Sequence, residues 1–112
     1  PGANILIAAP SNGDGEAITT TDIEGSGGYT SNDYTDTFGG TSSATPLVSG
    51  VVALMLEANP NLSWRDVQHV LVETSRQNDA SDSSWTANGE GYLISHKYGF
   101  GVVDAVMGFV CL

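Results

Sequence analysis

The sequence predicts an α/β fold, and three segments support that prediction. The apolar run at residues 4–9 lies between two groups of turn-forming residues, as a buried strand does. A long apolar run follows Pro46, and because proline is tolerated at the start of a helix but hardly in its interior, a helix should begin close to Ser42. A second, amphipathic helix is predicted to begin after Ser63.

Length and charge limit the functions that the chain can have. Its 112 residues make one domain at most, and 40% hydrophobic residues suffice for a folded core. Thirteen acidic residues against three basic ones give a net charge of −10, which argues against nucleic acid or an anionic membrane as a partner. No apolar run is expected to reach the length of a membrane span. Cys111 is the only cysteine, so the chain has no internal disulfide.

The first forty residues are predicted to form short strands, turns and a loop. Residues 12–16, Asn-Gly-Asp-Gly-Glu, form either a tight turn or a calcium loop, and the turn is favoured because the spacing completes no EF-hand pattern. Residues 17–22 have the β-branched bias of a strand. Residues 24–38 are rich in Gly, Ser, Asp and Tyr, which indicates a surface loop with a short strand near Tyr29.

Ser42 admits two interpretations. Serine is a common helix cap, and Gly-Gly-Thr-Ser before an apolar helix is what a loop and its cap look like. A serine at a helix N-terminus is also where unpaired N–H groups could stabilise an oxyanion, which a hydroxyl nucleophile requires. Local sequence alone leaves both readings open and favours the cap.

Two helices are predicted between residue 42 and residue 74. The first should run to about Ala58, and because it is apolar nearly all round it should be covered on most sides. The second has a Ser63 cap with Asp66 three residues later. Its apolar residues at helical spacing, Val67, Val70, Leu71 and Trp64, make it an amphipathic surface helix that runs to about Thr74. His69 within it is given no functional role.

The last third is predicted to be a loop, short strands and a final helix. Residues 75–88 should be an exposed loop anchored by Trp85. Residues 92–95 and 97–101 indicate two short strands, or a strand and a turn. Asp104 should cap a helix over residues 105–112.

Three separated motifs resemble the subtilase family of serine peptidases. Residues 40–46, Gly-Thr-Ser-Ser-Ala-Thr-Pro, resemble the family's serine signature, in which Gly-Thr-Ser and a downstream Pro open a long buried helix. Residues 57–69 and residues 95–105 resemble the segments that follow in the kexin and furin branch. The resemblance extends over residues 17–106. It implies a three-layer, parallel-sheet subtilisin-like α/β fold, of which this chain is the C-terminal portion.

The resemblance also assigns the site. It makes Ser42 the nucleophile and its N–H an oxyanion donor, with Gly40, Thr41 and Pro46 as supporting motif residues. The family's catalytic order is Asp, His, Ser, and residues 1–41 contain no histidine. Residues 1–112 are therefore expected to be the C-terminal part of one catalytic domain, inactive without the N-terminal part that holds the Asp and His. The family's oxyanion Asn also lies farther upstream, so Asn4, Asn12 and Asn32 are not given that role.

Other properties follow from the resemblance alone. It implies a peptide or protein substrate cleaved after basic residues, calcium in the whole domain with no ligand identifiable in this chain, and a location outside the cell or in its envelope. The missing N-terminal part of the domain is an implied partner.

Two alternatives remain. A self-contained serine hydrolase would use Ser42 with Asp66 or Asp82 and His96, although Ala44 replaces the second glycine of the Gly-x-Ser-x-Gly elbow. The other is a non-catalytic binding or assembly unit. If its covering layer were absent, such a unit would expose apolar surface and could self-associate.

Overall fold

The computed structural model of the protein describes residues 1–111 and contains both helices and strands. In chain order the elements are β1 (Ile18–Thr21), β2 (Tyr34–Phe38), α1 (Thr41–Ala58), α2 (Trp64–Thr74), β3 (Thr86–Ala87), β4 (Leu93–Ile94) and α3 (Ala105–Val110). The chain separates into two compact units, one formed by residues 10–47 and the other by residues 1–9 with the residues from 48 onward.

The unit of residues 10–47 is built on one antiparallel strand pair. β1 pairs with β2, Ile18 opposite Phe38 and Thr21 opposite Tyr34, with a register shift between Ile18 and Thr20. The strand predicted at residues 17–22 is therefore confirmed. The strand predicted near Tyr29 is wrong, because the extended segment of this region begins at Tyr34.

The loop between β1 and β2 is closed by Asp22. Its carboxylate accepts the N–H groups of Ile23 (2.8 Å) and Thr30 (2.9 Å). The hydrogen bond from the Thr30 N–H is the main reason why the pKa of Asp22 lies below its ordinary value. These bonds curl residues 22–30 into a loop and keep Tyr29 out of the strand pair.

A tight turn precedes β1. The N–H of Gly13 donates to the Glu16 carbonyl (3.0 Å), and the N–H of Glu16 donates to the Gly13 carbonyl (2.9 Å). Asp14 and Gly15 have φ angles of 51° and 85°, both in the left-handed region. Two consecutive left-handed residues, the second a glycine, are typical of a type I′ turn. The predicted turn is confirmed.

The second unit is organised around Val102. Val102 pairs in parallel with Ala8 and in antiparallel with Arg76. The N–H of Ala8 donates to Gly101 and the N–H of Val103 donates to Ala8 (2.8 and 2.9 Å). The predicted strand at residues 4–9 is thus an extended segment with one parallel bridge. This bridge is the only parallel pairing in residues 1–111, and the other pairings are antiparallel.

Three helices meet on a small apolar core in the same unit. Met55 of α1 is 1% exposed and Leu71 of α2 is 5% exposed. Gly108 of α3 is buried, and a Cβ at Gly108 would lie 3.8 Å from the Met55 sulfur and from the Thr74 hydroxyl. Helix α3 approaches α1 and α2 closely because position 108 has no side chain.

Helix α1 differs from its prediction in two respects. Only Met55 among its apolar residues is buried and half of them are exposed, including Leu54 (55%), because the described residues contact only part of its surface. Pro46 lies six residues into the helix, in its second turn rather than its first. Since proline has no N–H, the Ser42 carbonyl lacks the usual hydrogen bond from four residues later.

By length and composition α1 could cross a membrane. It has 18 residues with a mean hydropathy of 1.2, of which 11% are buried. The expectation that no apolar run reaches the length of a span is therefore wrong. A core helix of a water-soluble protein meets the same criteria, so this single helix is weak evidence for a membrane segment.

Helix α2 begins as predicted. The Asp66 N–H donates to the Ser63 hydroxyl, and the Ser63 N–H donates to the Asp66 carboxylate, forming a capping box. The hydrogen bonds from Ser63 hold the pKa of Asp66 below its ordinary value. Trp64 is the first residue of α2. It is 67% exposed, and the Arg65 guanidinium lies 5.0 Å from its ring.

The C-terminal third confirms its main predictions and corrects one. Trp85 anchors its loop by stacking on Tyr98 at 5.5 Å and by donating from Nε1 to the Asp79 carbonyl. The segment predicted as loop at residues 75–88 also contains β3, which pairs with β4.

The final helix is capped as predicted. The Asp104 carboxylate accepts the N–H groups of Val106 and Met107 (3.1 and 3.0 Å) and also pairs with Arg76 at 3.0 Å. The prediction extended this helix to Leu112, which lies outside the described residues.

Gly99→Ala should destabilise the protein strongly. Gly99 has a φ of 62° and is buried, and a Cβ there would overlap the Leu6 carbonyl, the acceptor of the Phe100 N–H. Left-handed strain and overpacking together predict a loss of about 2–4 kcal/mol in the free energy of unfolding, measured by urea denaturation.

The matched control is Gly89→Ala, because a Cβ at Gly89 meets nothing within 4 Å and its φ is not left-handed. A change within about 0.5 kcal/mol is expected there. Equal effects of the two substitutions would contradict the role assigned to Gly99.

Candidate active site

Ser42 is the second residue of α1 and is exposed. The chain reaches it from β2 through Gly39 and Gly40, and Gly40 has a φ of 73°. Glycine adopts this left-handed conformation without the cost that a side chain would bring. The turn at Gly40 therefore places Ser42 at the start of the helix, as predicted.

Ser42 does not cap the helix. Its hydroxyl forms no hydrogen bond with any residue in 1–111, whereas a cap accepts an N–H from the first turn. The Gly40 carbonyl instead accepts the first helical N–H groups, those of Ser43 (3.2 Å) and Ala44 (3.3 Å). The cap interpretation is therefore wrong, and the Ser42 hydroxyl is free to react.

Two backbone donors are available beside this hydroxyl. The N–H groups of Thr41 and Ser42 have no acceptor in the described part of the chain, as is usual for the first residues of a helix. They lie at the positive end of the helix dipole. An oxygen that gains negative charge near Ser42 could accept from these donors, which is how an oxyanion hole functions.

Ser11 and Asn12, which the sequence analysis did not place at the site, contact Gly40, two residues before Ser42. The Gly40 N–H donates to Asn12 Oδ1 at 2.7 Å, and the Ser11 hydroxyl donates to the Gly40 carbonyl at 2.7 Å. The hydroxyls of Ser11 and Ser43 lie 2.8 Å apart. No spacing rule links residues so far apart in the sequence, so only the tertiary structure identifies them.

The residues of the alternative triad are engaged elsewhere or unpaired. Asp66 belongs to the capping box of α2, and Asp82 accepts from Lys97 Nζ at 2.6 Å. The His96 side chain makes no hydrogen bond to either carboxylate within residues 1–111. A general base needs such a partner to orient it, so the pairing required by a self-contained hydrolase does not form.

Asp82 has a clear structural role. Besides Lys97 it accepts the Ser84 N–H (2.8 Å) and the Tyr98 hydroxyl (3.3 Å). The hydrogen bond from Lys97, followed by those from Ser84, holds the pKa of Asp82 far below its ordinary value. The same pairing raises the pKa of Lys97, and burial, followed by the Asp82 charge, raises that of Tyr98. Asp82 thus ties the Trp85–Tyr98 stack to the turn that follows β4.

The described residues contain no group of three or more His, Cys, Asp or Glu side chains that could hold a metal ion. Residues 12–16 present the hydrogen-bonded turn described above.

Comparison with known proteins identifies the relatives of the chain. The sequence model of the Subtilase family matches residues 1–101. Proprotein convertase subtilisin/kexin type 6 of Homo sapiens is 56% identical over 71 residues, which is 63% of this chain and 7% of that protein. Protease KEX1 of Kluyveromyces lactis is 41% identical over 101 residues, or 90% of this chain and 12% of that protein. The chain thus spans about a tenth or less of these relatives.

A solved structure has the same fold. The serine protease of Aeromonas sobria, in its complex with a chaperone, superposes with a TM-score of 0.87 at 28% identity. The match covers 98% of this chain and 26% of the protease. The predicted α/β fold is confirmed.

Asp82→Asn should lower the melting temperature at neutral pH and lose this effect in acid. The folded-state pKa of Asp82 is depressed, so its contribution is fully present above the unfolded-state pKa of about 3.9 and is lost as the pH falls through the lower, folded value. We expect a constant difference in melting temperature between the variant and the wild type from pH 8 down to about pH 5, shrinking below about pH 4.

The control for this experiment is Asp36→Asn, because the Asp36 side chain is exposed and has no partner among residues 1–111. That variant should unfold like the wild type throughout. An Asp82→Asn difference that persists unchanged at pH 2 would show that the carboxylate charge is not the cause.

Proposed function

Since the chain belongs to the subtilase family, we propose that the whole protein is a serine endopeptidase in which Ser42 is the nucleophile. The observation that carries this proposal is the exposed Ser42 hydroxyl, without a hydrogen bond in the described chain, beside two unpaired N–H groups at the start of α1. These groups lie in the segment that matches the family's serine signature.

In the proposed reaction Ser42 Oγ attacks the carbonyl carbon of a peptide bond. The proton of the hydroxyl passes to a histidine, and the carbonyl oxygen becomes an oxyanion that accepts from the Ser42 N–H. The C–N bond then breaks, the amine leaves with the proton from the histidine, and an acyl-enzyme remains on Ser42. Water, deprotonated by the same histidine, hydrolyses this ester and regenerates the hydroxyl.

The histidine and its aspartate are proposed to come from outside this chain. Residues 1–41 contain no histidine, and in the family both partners precede the serine. We therefore propose that residues 1–112 are the C-terminal part of a single catalytic domain and that they are inactive alone. For one family member, losing the histidine costs roughly a million-fold in turnover.

Substrate preference, calcium and location are proposed from the family. The preference for cleavage after basic residues comes from the family alone, and the net charge of −10 is in keeping with it because cationic peptides are attracted to an acidic protein. Two relatives named above are a proprotein convertase and a protease. Calcium dependence is assigned to the whole domain, and the protein is proposed to act outside the cell or in its envelope.

The test is covalent labelling by a fluorophosphonate probe. In the full-length protein the probe should react at Ser42, and Ser42→Ala should abolish the reaction. The isolated chain of residues 1–112 should react more slowly by a factor on the order of 10⁴ or more, because no base activates its hydroxyl.

Two further variants separate the alternatives. His96→Ala in the full-length protein should label normally, whereas the self-contained hydrolase requires His96. Ser26→Ala, at an exposed serine without a hydrogen-bond partner in residues 1–111, is the matched control. If the isolated chain is labelled rapidly and His96→Ala abolishes that labelling, the proposed mechanism is wrong and the self-contained hydrolase replaces it.

A second candidate function, self-assembly of the isolated chain, is favoured by one observation. An apolar groove of about 520 Å³ lies between the end of α1 and α3. Its lining includes Leu54, Val106, Phe109 and Val110, of which the least covered, Val106, is 71% exposed. Exposed apolar surface of this kind drives association.

The isolated chain should therefore show a native mass above 11.6 kDa that rises with concentration, measured by multi-angle light scattering. Phe109→Glu should return it to the monomer mass because it places a charge in the groove. Tyr29→Glu, at an exposed aromatic residue outside the groove, should not. A monomer at every concentration would exclude this function.

A further inference from the structure

The backbone of Gly40 is held on both sides by residues from a distant part of the sequence. Its N–H donates to Asn12 Oδ1, and its carbonyl is contacted by the hydroxyls of Ser11 (2.7 Å) and Ser43 (2.9 Å). Asn12 packs so closely over Gly39 that a Cβ at position 39 would overlap it. The backbone of Gly39 and Gly40 is therefore held in place by hydrogen bonds and close packing.

The two hydroxyls form a redundant pair. They lie 2.8 Å from each other, and each carries a single proton. One hydroxyl can donate to the Gly40 carbonyl while the other donates to the first, and the roles can be reversed. In either arrangement one hydroxyl donates to the Gly40 carbonyl. The Ser43 side chain, only 2% exposed, also has a hydrogen-bond partner without water, as a buried hydroxyl requires.

The position of this carbonyl governs the reactive groups. Gly40 immediately precedes Thr41 and Ser42, whose N–H groups are free, and its carbonyl also accepts the Ser43 and Ala44 N–H groups at longer distances of 3.2 and 3.3 Å. A rotation of the Gly40 peptide would reorient the Thr41 N–H directly and shift the Ser42 N–H. Even a small shift of these two N–H groups matters, because catalytic groups must be held within about 0.5 Å of their productive geometry.

We propose that Ser11 and Ser43, together with Asn12, are positioning residues that hold the Gly40 peptide so that the Ser42 hydroxyl and N–H face the substrate carbonyl. This inference rests on the proposed role of Ser42 as the nucleophile. None of the three residues touches the reacting atoms, and they act through Gly40.

The redundancy gives a distinctive kinetic prediction for the full-length protein. With a fluorophosphonate probe, Ser11→Ala and Ser43→Ala should each lower the limiting inactivation rate by no more than about threefold, because one hydroxyl still donates to Gly40. The double variant should lose about tenfold or more beyond the product of the single losses, with the half-saturating probe concentration changed less than twofold. Ser26→Ala should react like the wild type.

A rescue variant separates positioning from general stability. Ser11→Thr combined with Ser43→Ala restores one hydroxyl and should react at the rate of Ser43→Ala alone. If the double alanine variant does not fold, Asn12→Leu replaces it, because the Asn12 side chain is exposed. This substitution removes the acceptor of the Gly40 N–H, which is also an acceptor for the Ser11 hydroxyl at 3.3 Å, and leaves both serine hydroxyls in place. A fall of about threefold to tenfold in the limiting rate is expected for that variant.

The outcomes distinguish the inference from the proposed function. If Ser42→Ala is inert while the double variant, or Asn12→Leu in its place, reacts at the wild-type limiting rate, the positioning role alone is wrong. If the fold-loss of the limiting rate in the double variant equals the product of the losses in the two single variants, the proposed redundancy of the Ser11 and Ser43 hydroxyls is wrong. If Ser42→Ala still reacts like the wild type, the proposed nucleophile is wrong and this inference falls with it.

Discussion

The left-handed turn at Gly40 is the constraint on which the candidate site depends. A φ of 73° lets the chain leave β2 and enter α1 within three residues, and only glycine adopts it without strain. Because the Gly40 carbonyl takes the first helical hydrogen bonds, the N–H groups of Thr41 and Ser42 remain unpaired. An exposed hydroxyl and two free donors at the positive end of a helix dipole are thus consequences of one backbone conformation.

Polar contacts rather than a large apolar core define much of the described chain. Met55 and Leu71 are its only buried hydrophobic residues in positions 1–111, whereas Thr35, Ser43, Thr74 and Ser95 are buried polar ones. Each of these four has a hydrogen-bond partner, as buried polar groups require. Such bonds are directional, so they determine the paths of loops that burial alone would leave variable.

Similarity to subtilases explains why these features occur together. The chain has the α/β fold seen in the matched part of a serine protease, and it spans only 26% of that protein. Its own residues place a hydroxyl, orient backbone donors and pair Val102 with Ala8 and Arg76. Under the proposed function, the histidine that would make the hydroxyl reactive belongs to another part of the same domain.

The sequence by itself determined the helix starts, the turn at residues 13–16 and the family. Caps, glycines and signature spacing are local features of the sequence. The Ser63–Asp66 capping box of α2 and the Asp104 cap of α3 each bind N–H groups no more than three residues away. Ser42 could be selected because its motif is contiguous. Ser11 and Asn12 could not, since their contacts with Gly40 join residues 28 or 29 positions apart. The exposure of α1 was also mispredicted. Periodicity identifies which residues are apolar, but only the tertiary structure decides which of them other parts of the chain cover.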